Sequence, residues 1–359
     1  MESIKAYVPL SAVSKHTDSY QDITNALRGY SADIETTDLK RMRNSLESLS
    51  DDDREWLAQV YAKLGIEQDL PTRVQEAVAA NQRFLLEVES RMAATTEEGH
   101  YSFSGSAAAR VRLLPWAIAR EWGTKFASER DLVYQPILAE LTKRFPTGKA
   151  KVLVPGAGCC RLAYDLACAG FDVTAVEFDS LKVSATLHVL SLGLKGEQIE
   201  LYPFVLETCN RMKHSDNTRP VAVPAISIDA ESLRRLSING NEFLEYASGI
   251  PDGEFDAVVT TFFLDTSTDI DAYAREIARV LKPGGVWINC GSLNYHYACE
   301  KSVPRTPTRE LNAEETLAVV KRHGFTVTHT NHVETTYMGN HASMMQTKYR
   351  CVFFVARLG

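Results

Sequence analysis

Cysteine is scarce in this 359-residue chain: there are seven, at positions 159, 160, 168, 209, 290, 299 and 351. An odd count without a Cys-x-x-Cys pair disfavours both a disulfide framework and a zinc site, so reduced thiols and no metal are expected. Dense basic runs are missing too. Lys and Arg number 39 against 46 Asp and Glu, for a formal net charge of −7. Binding along a phosphate backbone needs a cationic stripe, so nucleic acid is not an expected partner. No apolar run approaches membrane-spanning length, and Met1-Glu-Ser-Ile-Lys5 offers no apolar signal core, which leaves membranes out as well. Repeats and low-complexity tracts are likewise absent. What remains, 45% hydrophobic and 24% charged, is the composition of a soluble globular protein. The cytoplasm is its expected compartment, with the nucleus as a second, and a homodimer is an assembly the sequence permits.

Against this background Val152-Leu-Val-Pro-Gly-Ala-Gly158 stands out. Three apolar residues read as a buried strand, the small residues after them as a tight turn, and Arg161-Leu-Ala-Tyr-Asp-Leu-Ala-Cys168 as a helix. Strand, glycine turn and helix start form a cradle for a nucleotide-like ligand. Gly156 and Gly158 let the backbone approach it, and the helix end is partially positive. Phe171-Asp-Val-Thr-Ala-Val176 reads as a second strand, and Glu177 at its end is placed to take both hydroxyls of a ribose. Turn and acid together indicate an adenosine-containing ligand.

Residues 1–148 read as a helical region that packs over, or closes on, the rest. Ser50-Asp-Asp-Asp-Arg-Glu-Trp-Leu is an acid-capped helix start, and Pro71 opens a second helical stretch. Ala107 to Trp122 and Asp131 to Phe145 are further helices, and Thr95-Thr-Glu-Glu-Gly-His100 is a polar break suited to a hinge. From 149 to 359 strand and helix alternate, the signature of a parallel α/β sheet. A helix is expected over Ser180–Leu194, a surface insertion over His214–Pro224, and a third strand over Val221–Ile228 ending at Asp229. Phe255–Leu264 is a fourth strand, followed by Asp265. The helix Ile270–Leu281 should stop at Lys282-Pro-Gly-Gly285, before a fifth strand over Val286–Cys290. A helix over Leu311–His323 precedes a late strand from Gly324, and Tyr349-Arg-Cys-Val-Phe-Phe-Val-Ala356 should add an antiparallel edge.

Ligands of open α/β sheets bind at the carboxyl ends of the strands. Those ends carry Glu177, Asp229, Asp265 and the Tyr295-His296 pair. Asp229 suits an adenine amino group, although a helix cap explains it equally well. Asp265, behind Phe262-Phe263-Leu264, can accept a substrate N–H and offset positive charge, or cap the helix that starts near Thr268. His296 gains interest from its place beyond the fifth strand. Tyr337 and Tyr349 fit substrate clamps or core-edge tyrosines alike. His323, His329, His332 and His341 have no ligand-like spacing.

Pro-Gly-Ala-Gly-Cys-Cys160 lacks the third glycine of a dinucleotide fingerprint, which makes an NAD-dependent enzyme the second choice. S-adenosylmethionine has no phosphates, so a shortened turn suffices for it. Arg279-Val-Leu-Lys-Pro-Gly-Gly-Val-Trp-Ile288 resembles the helix-to-strand junction of class I methyltransferases. More narrowly, the glycine turn with Arg161-Leu-Ala, Thr261-Phe-Phe-Leu-Asp-Thr266, the Pro-Gly-Gly junction and Leu293-Asn-Tyr-His296 resemble the carnosine N-methyltransferase family. So do Arg120-Glu-Trp-Gly123, Glu129-Arg-Asp-Leu-Val-Tyr-Gln-Pro-Ile137 and Ser343-Met-Met345 with Tyr349. The resemblance runs from about Arg110 to the C-terminus.

That resemblance implies a Rossmann-like, mostly parallel sheet and a methyl transfer from S-adenosylmethionine to imidazole. Carnosine would become anserine, with S-adenosylhomocysteine as by-product. Arg120, Gly156, Gly158, Glu177, Asp229 and Ala230 would hold the donor, and Thr261 would line its pocket. Asp265 and His296 would face the imidazole, and Tyr349 with Tyr337 would take the rest of the dipeptide. Alternatives are a peptide or protein histidine, another small metabolite, or an inactive subunit of the same fold. The chain departs from the family pattern at Cys159-Cys160, where Gly-x-Gly precedes the Arg, at Ala117 in place of Gln, and at Ser292 in place of Pro.

Overall fold

The computed structural model describes residues 5–7, 20–95, 106–296, 298 and 309–359. The expected hinge at 95–100 runs into the segment 96–105, outside the described residues.

A short strand, β1 (Lys5–Tyr7), precedes a run of helices: α1 (Tyr20–Ile34), α2 (Lys40–Glu47), α3 (Asp51–Leu64), α4 (Leu70–Thr95), α5 (Ala107–Trp122) and α6 (Ala127–Arg144). Helix α1 buries Ile23, Leu27, Tyr30 and Ile34, three or four residues apart, as one apolar stripe requires. Helix α3 begins as the sequence predicts: the Ser50 hydroxyl accepts the Asp53 N–H, and three Asp occupy the positive first turn. The alternating part then runs β2 (Lys151–Pro155), α7 (Arg161–Cys168), β3 (Asp172–Val176), α8 (Ser180–Lys195), β4 (Ile199–Leu201), β5 (Val221–Val223), α9 (Ala230–Leu233), β6 (Leu236–Asn239) and α10 (Phe243–Ser248). It finishes with β7 (Phe255–Thr261), α11 (Ile270–Val280), β8 (Leu281–Gly291), α12 (Ala313–Arg322), β9 (Phe325–Thr335) and β10 (Tyr349–Leu358).

The main sheet has the order β1-β6-β3-β2-β7-β8-β10-β9. It is parallel from β1 to β8, and β10 pairs antiparallel with both β8 and β9. This is the class I methyltransferase sheet, with the expected antiparallel C-terminal edge, in which β9 is outermost and β10 lies inside it.

Side-chain alternation along the strands separates two cores. Cys351, Phe353 and Val355 of β10 face a cluster shared with α1, α4, α5, α6, α7 and α8. Phe354 and Ala356 face the other cluster, with α10, α11 and α12. The N-terminal helices therefore share one face of the sheet with α7 and α8.

Three expectations are corrected. The third sheet strand is not Val221–Ile228. Pro224 has no N–H to donate to a ladder, so that strand stops at Val223 and pairs antiparallel with β4, away from the main sheet. The position beside β3 belongs to β6, which buries Leu236 and Ile238. The run Lys282–Gly285 does follow the end of α11 but is drawn into β8, whose register with β7 shifts between Phe255 and Ala257. Finally, 214–224 is no surface insertion: Asp216, Asn217 and Thr218 are buried, and the Asn217 amide donates to the Val205 carbonyl at 3.1 Å.

Candidate active site

The donor side is built on the turn after β2. Gly156 and Gly158 have φ of 62° and 59°, the left-handed region that favours glycine. Their surroundings differ. A Cβ on Gly156 would lie 2.2 Å from the Phe263 ring, whereas one on Gly158 would meet nothing within 4 Å. Gly156 thus lets Phe263 pack, and Gly158 faces open space. Cys160 occupies the same backbone region, with φ of 58°.

Glu177, at the end of β3, is buried and folds back over this turn. One oxygen accepts the Gly158 N–H at 2.7 Å and the other the Asp179 N–H at 3.0 Å. Each oxygen retains a lone pair, which suits a vicinal diol. Burial pushes the Glu177 carboxyl up, opposed by Lys182, whose ammonium Glu177 in turn raises.

Asp229 and Ala230 are exposed, and Asp229 does not end a strand. Its carboxylate caps α9, accepting Ser232 N at 2.8 Å and Ser232 Oγ at 2.6 Å, bonds that hold it below the usual carboxylate range. The rim position next to Glu177 belongs to the end of β6, where Asn239 accepts the Glu177 N–H through its carbonyl and the Asn241 N–H through its side chain. The sequence reading missed Asn239-Gly-Asn241 because it placed the strand elsewhere.

Arg120, near the end of α5, is 4% exposed. Its Nε donates to Glu129 at 3.0 Å and its Nη1 to Glu121, while the Tyr134 hydroxyl donates to the other Glu121 oxygen. The guanidinium lies 4.4 Å from the Tyr337 ring centre and 5.7 Å from that of Phe262. Its Nη2 is buried without a protein partner. An orphaned guanidinium nitrogen beside a glycine turn fits the carboxylate of an amino-acid-bearing ligand. Glu121, Glu129 and Tyr134 had no assigned role in the sequence, where charged residues on helices look alike.

The acceptor side forms where β7 ends. Thr261 is half-buried, Phe262 adopts φ of 47°, and Leu264–Thr266 make a 3₁₀ turn. Asp265 on that turn is 3% exposed. It is not a helix cap, since Asp269 caps α11 by accepting the Asp271 N–H. Its Oδ2 accepts the Ser292 hydroxyl at 2.8 Å and the Asn294 N–H at 3.0 Å, and its Oδ1 is buried with no partner. Burial pushes the carboxyl up, while Ser292, Asn294 and His296 pull it down. The loop after β8 that supplies these donors also brings in His296, whose N–H donates to the Asp265 carbonyl at 3.1 Å and whose side chain is exposed.

Tyr349 opens β10 at the same rim, because an antiparallel strand begins where its parallel neighbours end. It is half-buried against the cluster that contains the N-terminal helices. Tyr337 lies instead over Arg120, its ring centre 4.5 Å from that of Phe262. The Arg120 guanidinium lies against Phe262, three residues before Asp265, so the two orphaned groups flank the turn after β7.

A family model described as "Carnosine N-methyltransferase" matches residues 104–359. The carnosine N-methyltransferase of Rattus norvegicus is 28% identical over 362 residues, covering 95% of this chain and 86% of that protein. That of Schizosaccharomyces pombe is 34% identical over 256 residues, covering 67% and 68%. Among solved structures, magnesium protoporphyrin IX methyltransferase from Synechocystis is 12% identical with a TM-score of 0.42, over 68% of this chain and 90% of that one. This chain belongs to the carnosine N-methyltransferase family.

Proposed function

We propose that the protein methylates an imidazole nitrogen of a histidine-containing dipeptide such as carnosine, giving anserine. The observation that carries this reading is Asp265: a buried carboxylate with one oxygen held by two donors and the other left without a partner. S-adenosylmethionine, when bound, supplies a methyl group already activated on a sulfonium. Arg120 Nη2 would hold its carboxylate and Glu177 its ribose hydroxyls, with Gly158 giving it room. Asn241, half-buried beside Glu177, is better placed for the adenine edge than Asp229, whose carboxylate is committed to α9.

Neutral imidazole has one lone-pair nitrogen and one N–H. Oδ1 of Asp265 accepts that N–H, which selects the tautomer and points the bare nitrogen away from the carboxylate, toward the donor side. Alignment of this kind is the main task where the leaving group is already good. As the ring becomes cationic, the fixed carboxylate offsets its charge in a setting poor in water. The surplus proton passes to Asp265, and His296 at the exposed mouth gives it a route to solvent. Tyr349 sits where the remainder of the dipeptide would extend. The dipeptide is the acceptor proposed here, and the free thiols fit a reducing compartment such as the cytoplasm.

Asp265→Asn keeps the shape but loses the charge and the obligate acceptor. Turnover on carnosine with labelled S-adenosylmethionine should fall by ~10²–10³-fold, with the calorimetric donor dissociation constant unchanged. Wild-type turnover in this variant would end the proposal.

A further inference from the structure

Asp265 receives two hydrogen bonds, and both fall on the same oxygen. One donor, the Asn294 N–H, belongs to the backbone and would be present with any residue but proline at 294. The other is the Ser292 hydroxyl, at 2.8 Å, and it exists only because residue 292 carries a hydroxyl. Ser292 follows directly on Gly291, the last residue of β8, and a Cβ at Gly291 would lie 2.8 Å from the Phe262 backbone nitrogen. The close approach of β8 to the turn after β7 is what brings Ser292 within reach of a carboxylate 27 residues away in sequence.

We propose that Ser292 is a positioning residue for Asp265, holding Oδ2 so that Oδ1 alone faces the acceptor ring and keeping the carboxylate ionised in its buried setting. This rests on the assignment of Asp265 as the group that takes the imidazole N–H. With both donors on Oδ2, rotation of the carboxylate about its Cβ–Cγ bond would break two bonds, so the free oxygen is fixed in place. A hydroxyl donor also favours the charged form, since its bond to a carboxylate oxygen is stronger than its bond to the carbonyl oxygen of a protonated carboxyl. Burial acts in the opposite direction. Tyr295 and His296 from the loop after β8 and Cys351 from β10 also interact electrostatically with this carboxyl. Ser292 is therefore an uncharged and local means of adjusting this carboxylate.

The test compares Ser292→Ala and Ser292→Thr with the wild-type protein, using carnosine and S-adenosylmethionine. The kcat–pH profile reports groups in the enzyme–substrate complex. Removing one donor from an ionised carboxylate should move its acid limb up by about one pH unit. It should also lower kcat roughly tenfold near neutrality, with the calorimetric donor dissociation constant and the melting temperature unchanged. Ser292→Thr, which keeps a hydroxyl, should restore both the limb and the rate. In the Asp265→Asn background, Ser292→Ala should cause no further change in the profile. An acid limb that stays put in Ser292→Ala, while Asp265→Asn still loses turnover, overturns the role of Ser292 and leaves that of Asp265 standing. Full turnover in Asp265→Asn overturns the underlying reading instead.

Discussion

Gly156 and Gly158 are two residues apart in one turn, with nearly equal left-handed φ, yet substituting them should damage different properties. Alanine at either position carries ~1–2 kcal/mol of backbone strain. At 156 the new methyl also collides with Phe263, adding roughly 1–3 kcal/mol of overpacking. Gly156→Ala should therefore lower the melting temperature much more than Gly158→Ala. Gly158→Ala projects a methyl into open space over Glu177 and should weaken donor binding by roughly tenfold, or about 1.4 kcal/mol. Thermal unfolding and calorimetry on the two variants test both claims, and equal melting temperatures would contradict them. In the sequence these glycines were equivalent, because a turn motif records the need for a bare backbone and not its cause. Glu177 and Asp265 were legible since each follows an apolar strand. Asp229 was misplaced because an acid after Val-Pro-Ala-Ile-Ser-Ile looks the same whether those residues join the sheet or not.

Helix α6 is tied to the far end of the chain by one side chain. Glu129, 2% exposed, accepts from Arg120, from the Thr336 hydroxyl and from the backbone of Met338 and Gly339. These donors pull its carboxyl below the ordinary value despite burial. The same contacts fix the start of the 336–348 connection, and with it Tyr337 over Arg120. Glu129→Ala leaves the guanidinium with Glu121 alone and the loop without its anchor. Breaking a buried pair of this kind costs about 3–5 kcal/mol, which urea unfolding would measure. Glu129→Gln, which keeps one acceptor oxygen, should be milder in stability and still weaken donor binding through the loosened Arg120. A Glu129→Ala protein as stable as wild type would show the network to be dispensable. None of this was readable from spacing, because the partners lie 207 to 210 residues apart. Helix and strand identity were readable because they depend on neighbours: the stripe of α1, the Ser50 cap, the apolar runs of β2, β3 and β7. Strand β6 escaped because four residues, Leu-Ser-Ile-Asn, carry too little pattern, and its choice of β3 as partner is a tertiary decision.

For the molecule as a whole, stability should depend on pH through the contact between the N-terminal helices and α8 of the alternating part. His188 of α8 is 8% exposed, its ring centre 5.8 Å from that of Phe84 on α4. Burial holds this imidazole below its ordinary value, with Arg91 and Lys195 acting in the same direction and Glu87 and Glu197 against it. The unfolded chain therefore takes up this proton first, near pH 6.5, and stability is lost as pH falls from there through the lower folded value. Glu177 and Asp265, raised by burial, act with the opposite sign, but a matched pair of proteins cancels them. His188→Asn should flatten the decline in melting temperature between about pH 7 and 5.5 relative to wild type. Parallel curves would remove His188 from the account.

Glu129 meets residues 336–339, while the glycine turn lies near the middle of the chain. On a ribosome, where translation proceeds from the amino end, the turn and Glu177 emerge well before the residues that anchor Tyr337. A nascent chain can hold the first half of the sheet and still lack the finished pocket. Capture of the methyl donor should then begin only once the closing hairpin has been released, so that methylation competence arises late and all at once.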